Sequence, residues 1–180
     1  MRPDRPSRTA EGIAGARARE SAKPEADRLF YDPYARHFMS RRFRVMASIP
    51  LVLRLFRWRN SRVLPGMFGG LVVRTRYIDD LLLRLLEEGI QQVVILGAGY
   101  DTRAYRMAEM GRGGRIFEVD HPSTQRLKVE TMRTILGRLP DHVTFVPVQF
   151  QSEDLAEKLE EKGYSRKTRT FFIWEGVTMY

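Results

Sequence analysis

The 180-residue chain has no cysteine. Disulfides and cysteine-ligated metal centres are therefore excluded, and nothing points to an oxidising compartment. It also lacks any long hydrophobic run. The apolar stretches are short and broken by arginine, so neither a membrane span nor a signal peptide is expected, and a cytoplasmic location is. Histidine is scarce. His37, His121 and His142 lie too far apart in sequence to suggest ligand spacing, so no metal is expected. Acid is missing from one place. Between Pro33 and Ile78 there are ten arginines and neither Asp nor Glu. Without those ten, the 31 basic residues fall to 21 against 22 acidic ones, so the formal charge of +9 belongs to one segment. There Leu51, Val52, Leu53, Leu55, Phe56 and Trp58 interleave with Arg54, Arg57 and Arg59. That pattern predicts amphipathic lid helices with solvated arginines rather than a nucleic-acid surface, since the interleaved aromatic code of a single-strand platform is absent.

What is present centres on Val93-Val94-Ile95-Leu96-Gly97-Ala98-Gly99-Tyr100-Asp101-Thr102-Arg103. Four consecutive apolar residues predict a strand buried on both faces, here over 92–97. The glycines after it let a backbone approach a ligand closely. In open α/β sheets this is where nucleotide-like ligands bind. A dinucleotide fingerprint needs a third glycine at position 102, which is Thr102, and Asp101 is a poor neighbour for phosphate. A second strand, 115–120, ends in Asp120, 23 positions after Gly97. That spacing suits a carboxylate that accepts ribose hydroxyls. Ribose without pyrophosphate points to S-adenosylmethionine.

The remaining pattern alternates strands and helices, which implies parallel pairing through right-handed crossovers. A helix is predicted over 10–21 and a short one ending at Phe38. A basic helical region runs to Leu64, and another helix covers Arg74 to Glu88, with Gly89 ending it. After Pro122 comes a helix, then a strand at 143–149. Ser152 is expected to cap the next helix, with Glu153 and Asp154 in its first turn. A fourth strand is expected at 170–175. Its Phe171, Phe172 and Ile173 would lie partly uncovered at an open edge, so the sequence is expected to be the first part of a longer protein.

Together, several motifs resemble the leucine carboxyl methyltransferase family of class I S-adenosylmethionine-dependent methyltransferases, and within it the bacterial tetracenomycin-type polyketide O-methyltransferases. They are Ser7-Arg8-Thr9-Ala10, Arg17-Ala18-Arg19-Glu20-Ser21, Asp32-Pro33-Tyr34-Ala35, Arg74-Thr75-Arg76-Tyr77-Ile78-Asp79-Asp80, the glycine turn through Arg106, Phe117-Glu118-Val119-Asp120-His121-Pro122 and Trp174-Glu175-Gly176-Val177-Thr178-Met179-Tyr180. The resemblance implies an α/β, Rossmann-like parallel sheet, partial, with strands 1–4 present in the order 3-2-1-4. A helical cap over 1–64 would precede it, and 65–180 would form the first half of the donor-binding domain.

By the same resemblance, Arg74 holds the methionine carboxylate of the donor and Arg17 assists. Gly97 lies under the donor, with Gly99 and Asp101 beside it in the turn. Asp120 binds ribose and Glu175 lies beside the donor. After strand three the family has an acid that meets adenine. This chain has Gln149-Phe150, and the glutamine carbonyl can still accept that hydrogen bond. Bland alternatives exist for each: Asp101 as a helix cap, Glu175 with a structural partner, Tyr105, Met107 and Met110 as core.

The expected activity is S-adenosylmethionine-dependent methyl transfer to a carboxyl or hydroxyl oxygen of a small molecule, a polyketide among the candidates. No residue stands out as a catalytic base. The rival readings are an NAD(P)-dependent oxidoreductase and an inactive fragment with a basic anion-binding surface.

Overall fold

A computed structural model describes residues 8–40, 66–111 and 114–175, together with isolated positions 45, 49, 51 and 58. The basic stretch expected to form lid helices falls mostly outside the described residues. Chain contacts divide the molecule into two units, Arg8–Asp79 and a second beginning at Asp80.

In the N-terminal unit, helix α1 (Arg8–Ser21) packs against a 3-10 turn at Ala35–Phe38. Ala14, Ala16, Ala35 and Phe38 are buried. The turn is organised by Asp32, which is 2% exposed. One of its oxygens accepts the amides of Tyr34 and Ala35, each at 3.0 Å. The other accepts Arg17 Nε at 2.9 Å. The Arg19 guanidinium lies 4.7 Å from the Phe68 ring centroid, tying α1 to the start of helix α2 (Met67–Glu87).

Helix α2 starts seven residues before the expected Arg74. Gly66 (φ +78°) turns the chain, its carbonyl accepts Gly70 N–H at 2.7 Å, and the helix runs through Gly69 and Gly70. The end of α2 is as expected. Gly89 donates to Leu86 O and Ile90 to Leu85 O, the paired bonds of a Schellman motif.

The second unit holds four parallel strands, β1 (Gln92–Leu96), β2 (Arg115–Asp120), β3 (Val143–Pro147) and β4 (Thr170–Trp174). Their order is β3-β2-β1-β4, as expected. The described architecture is thus α/β, with helices against both faces of a parallel sheet. On one face Val94, Leu96, Phe117, Val119, Val146 and Val148 form a core cluster with Leu159 of helix α5 (Leu155–Glu161). On the other, Lys128 of helix α4 (Pro122–Leu136) reaches Glu118 of β2. A one-turn helix, α3 (Arg103–Arg106), follows the glycine turn.

Two expectations need correction. The helix after β3 is capped by Asp154, not Ser152. The Asp154 carboxylate accepts the amides of Ala156 and Glu157, at 2.7 and 3.0 Å, whereas Ser152 and Glu153 sit in the preceding turn. The exposure of β4 is also distributed differently. Ile173 is 2% exposed, whereas Phe172 and Trp174 are 46% and 61% exposed. Phe172 and Trp174 pair with Val94 and Leu96 and so share their face; Ile173 points to the opposite one.

Candidate donor-binding site

The parallel sheet brings the carboxyl ends of β1 and β2 side by side, Leu96 pairing with Val119. Past that point β1 breaks into a tight turn. Gly97 (φ +60°) and Gly99 (φ +43°) both take left-handed backbone conformations that favour glycine. Ala98 N–H still reaches Val119 O at 2.9 Å, and Asp101 N–H returns to Ala98 O at 2.7 Å. The Gly99 amide turns to the neighbouring strand end and donates to Asp120 Oδ2. Asp120 Oδ1 accepts the His121 amide at 2.6 Å. Gly97, Gly99 and Asp120 are thus brought together where β1 and β2 end.

Burial raises the pKa of the Asp120 carboxyl, against the opposing pull of the two amides. Each carboxylate oxygen has a second lone pair, so the group can also accept hydroxyl donors. This acceptor set is of the kind that the two hydroxyls of a diol can meet. Val148 N–H donates to Asp120 O at 2.9 Å and carries the chain to Gln149 and Phe150, both exposed. The Gln149 carbonyl accepts the amides of Ser152 and Glu153, both at 3.0 Å, and its own amide donates to Glu153 Oε2 at 2.7 Å. The backbone of Gln149 is therefore fixed in a turn.

Asp101 does what the bland reading expects. Its Oδ1 accepts the Arg103 amide at 2.8 Å, at the start of α3. Its other oxygen pairs with the Arg103 side chain. Arg103 also lies 2.9 Å from Glu175 Oε1, just beyond β4. Asp101 and Glu175 therefore share one buried guanidinium, whose side chain is 3% exposed. Sequence reasoning gave Arg103 no role, although its position two residues after Asp101 was a signal.

A second group was also missed. Glu118, buried within β2, lies 2.7 Å from Lys128 Nζ, and both side chains are almost fully enclosed. Tyr105 Oη donates to Glu118 Oε2 at 3.1 Å. Burial, then the Glu118 charge, push the Tyr105 phenol up, so it stays protonated and donates. Tyr105 thus has a polar task that its helical spacing with Met107 and Met110 concealed; those two are core residues. The signal for Glu118 was a charge between the apolar Phe117 and Val119 in mid-strand, which requires a partner.

His121 is structural. It caps α4, with Nδ1 2.8 Å from Ser123 Oγ. Arg17 and Arg74 belong to the N-terminal unit. Arg17 is buried on Asp32 and Arg74 is half-buried. Among the described residues, no cluster of His, Asp or Glu could hold a metal ion, and no helix is long and apolar enough to cross a membrane.

The family model for leucine carboxyl methyltransferase matches residues 10–180. A Streptomyces coelicolor relative named "putative S-adenosyl-L-methionine-dependent methyltransferase" is 38% identical over 173 residues, covering 96% of this chain and 58% of its own. A Bacillus subtilis relative with the same description is 38% identical over 109 residues, covering 61% of this chain and 36% of its own. One from Mycolicibacterium gilvum is 33% identical over 176 residues, covering 96% and 56%. The chain thus spans little more than half the length of relatives that match nearly all of it.

Proposed function

Since the chain belongs to the leucine carboxyl methyltransferase family, we propose that it binds S-adenosyl-L-methionine and serves methyl transfer to a carboxyl or hydroxyl oxygen of a small molecule, with polyketides a candidate acceptor class. The observation that carries this reading is the join between Asp120 and the Gly99 amide. It puts a carboxylate with spare acceptor capacity beside a turn that has no side chains at Gly97 and Gly99. Asp120 then holds the ribose hydroxyls. Gln149 and Phe150 face the adenine, the glutamine carbonyl accepting from its amino group. Asp101 and Glu175 lie on the methionine side. On the motif resemblance alone, Arg74 holds the methionine carboxylate, with Arg17 in support.

When bound, S-adenosylmethionine supplies a methyl group already activated on a sulfonium. The protein's share is therefore chiefly alignment of the acceptor oxygen. A carboxylate acceptor needs no base, whereas a phenol gains from one. The reading places the enzyme in the cytoplasm.

Calorimetry with S-adenosylmethionine, S-adenosylhomocysteine and NAD tests the cofactor, and transfer from labelled donor to a panel of carboxylic acids and phenols tests the acceptor. Binding of the first two and not of NAD is expected. NAD binding without the others would replace this reading with the oxidoreductase one.

A further inference from the structure

Glu118 is a charge to which the proposed donor contacts give no task. It is fully buried in β2, two residues before Asp120 and so on the same face of the strand. A buried ion pair often adds no stability over apolar side chains of similar size, so its presence calls for another explanation. Its contacts supply one. Tyr105 Oη, on α3, donates to Glu118 Oε2 at 3.1 Å. Burial keeps that phenol protonated, so it stays a donor. Lys128 Nζ, on α4, lies 2.7 Å from Glu118 Oε1 and 5.6 Å from the Tyr105 ring centroid. Gln125, also on α4, donates its side-chain amide to the Glu118 carbonyl at 2.8 Å. Helix α3 follows the glycine turn, and α4 follows Asp120 and His121. One residue of β2 thus holds both helices that lead away from the site.

We propose that Glu118 is a positioning residue for donor binding: through Tyr105 on α3, and through Lys128 and Gln125 on α4, it fixes the glycine turn relative to Asp120 and so sets the gap in which the ribose is held. This rests on the reading of the turn as a donor-binding one. The Gly99 amide meets Asp120 directly, but a single hydrogen bond leaves the turn free to pivot about it. A second tie, on the helix that leaves the turn, removes that freedom. A binding group keeps its geometry only when its own supports are fixed.

The test separates positioning from stability. Two proteins share Lys128→Met and differ only at position 118. Glu118→Gln keeps a side chain of the same length that can still accept from Tyr105, whereas Glu118→Leu does not. Tyr105→Phe removes the same tie and leaves the ion pair in place. Affinity for S-adenosylhomocysteine is measured by calorimetry, and folding stability by urea titration. Hydrogen exchange at the Gly99 amide is compared with that of the β1 amides in the ligand-free proteins.

Tyr105→Phe is expected to bind about five- to tenfold more weakly than the wild type. That is less than the full scale of a lost hydrogen bond to a charged group, since only the part that places the turn reaches the ligand. Its Gly99 amide should exchange several-fold faster while the β1 amides do not change. The leucine double variant should bind more weakly than the glutamine one by a similar factor, whichever of the two is the more stable.

An affinity within twofold of the wild type in Tyr105→Phe would overturn the role. So would equal affinities in the two double variants, or exchange that rises equally at Gly99 and along β1, which would mean a general loosening. Should a double variant not fold, Tyr105→Phe decides alone. A wild type that binds no S-adenosylhomocysteine would sink the donor-site reading and this role with it. Wild-type binding with unmoved variants would sink only the role of Glu118.

Discussion

Asp120 and Gly99 meet through one hydrogen bond, the glycine amide donating to the carboxylate, although they come from the ends of two different strands. The contact makes the position of the turn depend on the acid. Asp120→Ala should therefore weaken S-adenosylmethionine binding by about 1–3 kcal/mol, the scale of a polar partner removed from a part-buried site. Calorimetry on the two proteins measures it. An unchanged affinity would take Asp120 out of the site.

The same carboxyl predicts two opposite pH trends. Burial lifts its pKa above the ordinary 3.8. An acid whose pKa rises on folding favours the folded state at low pH. Its contribution is lost as pH climbs from 3.8 through the raised value. If Asp120 holds the ribose hydroxyls of the donor, binding needs the ionised form, so affinity should rise over that same range. Asp120→Asn should flatten both curves. Thermal melts of the ligand-free protein and calorimetry across the acidic range check the two slopes. A donor affinity that stays flat on acidification, in wild type and variant alike, would contradict the assignment.

The fold and the site were legible to different depths. Val93 to Leu96 announced a strand buried on both faces because an apolar run of that length has few other uses. Gly97, Gly99 and Asp120 followed from spacing, since a turn after one strand and an acid at the end of the next must meet in a parallel sheet. The start of α2 was hidden because Gly69 and Gly70 have low helix propensity, and the helix accommodates both. The cap at Asp154 was hidden because Ser152, Glu153 and Asp154 can all serve near a helix start. Only backbone geometry decides which carboxylate faces the amides. The pairings of Arg103 with Glu175 and of Lys128 with Glu118 were illegible for a deeper reason. The partners become neighbours only once the strands are ordered and the helices laid on them.

Arg74 offers a check on what rests on motif resemblance alone. If it holds the donor carboxylate, Arg74→Ala should cost about 1.5–3 kcal/mol of donor affinity, as for a hydrogen bond to a charged group. Arg74→Lys should recover only part of that, because lysine lacks the planar fork. Binding of adenosine, which has no carboxylate, should be unaffected by either change. If adenosine and S-adenosylmethionine lose affinity equally, Arg74 acts through the fold and not on the ligand.

The pair of Glu118 and Lys128 makes a prediction about stability. Both charges are sealed from solvent 2.7 Å apart, and Tyr105 Oη supplies a further hydrogen bond to the carboxylate. Burial pushes the Glu118 carboxyl up and Lys128 pulls it back. Removing only the lysine leaves a buried acid without its cation, which must then stay charged at a cost or take up a proton. Lys128→Met should therefore destabilise the protein by about 3–5 kcal/mol, the range for breaking one side of a buried pair. Replacing both partners, Glu118→Leu with Lys128→Met, removes the uncompensated charge, so the double variant should be more stable than the single one. The Tyr105 hydroxyl would then lose its acceptor, and adding Tyr105→Phe should recover further stability. Urea titrations of these proteins, together with the Glu118→Leu single variant, measure the differences. A double variant as unstable as the sum of its single ones would mean that the two side chains are not coupled, and would overturn the reading of the two as a buried ion pair.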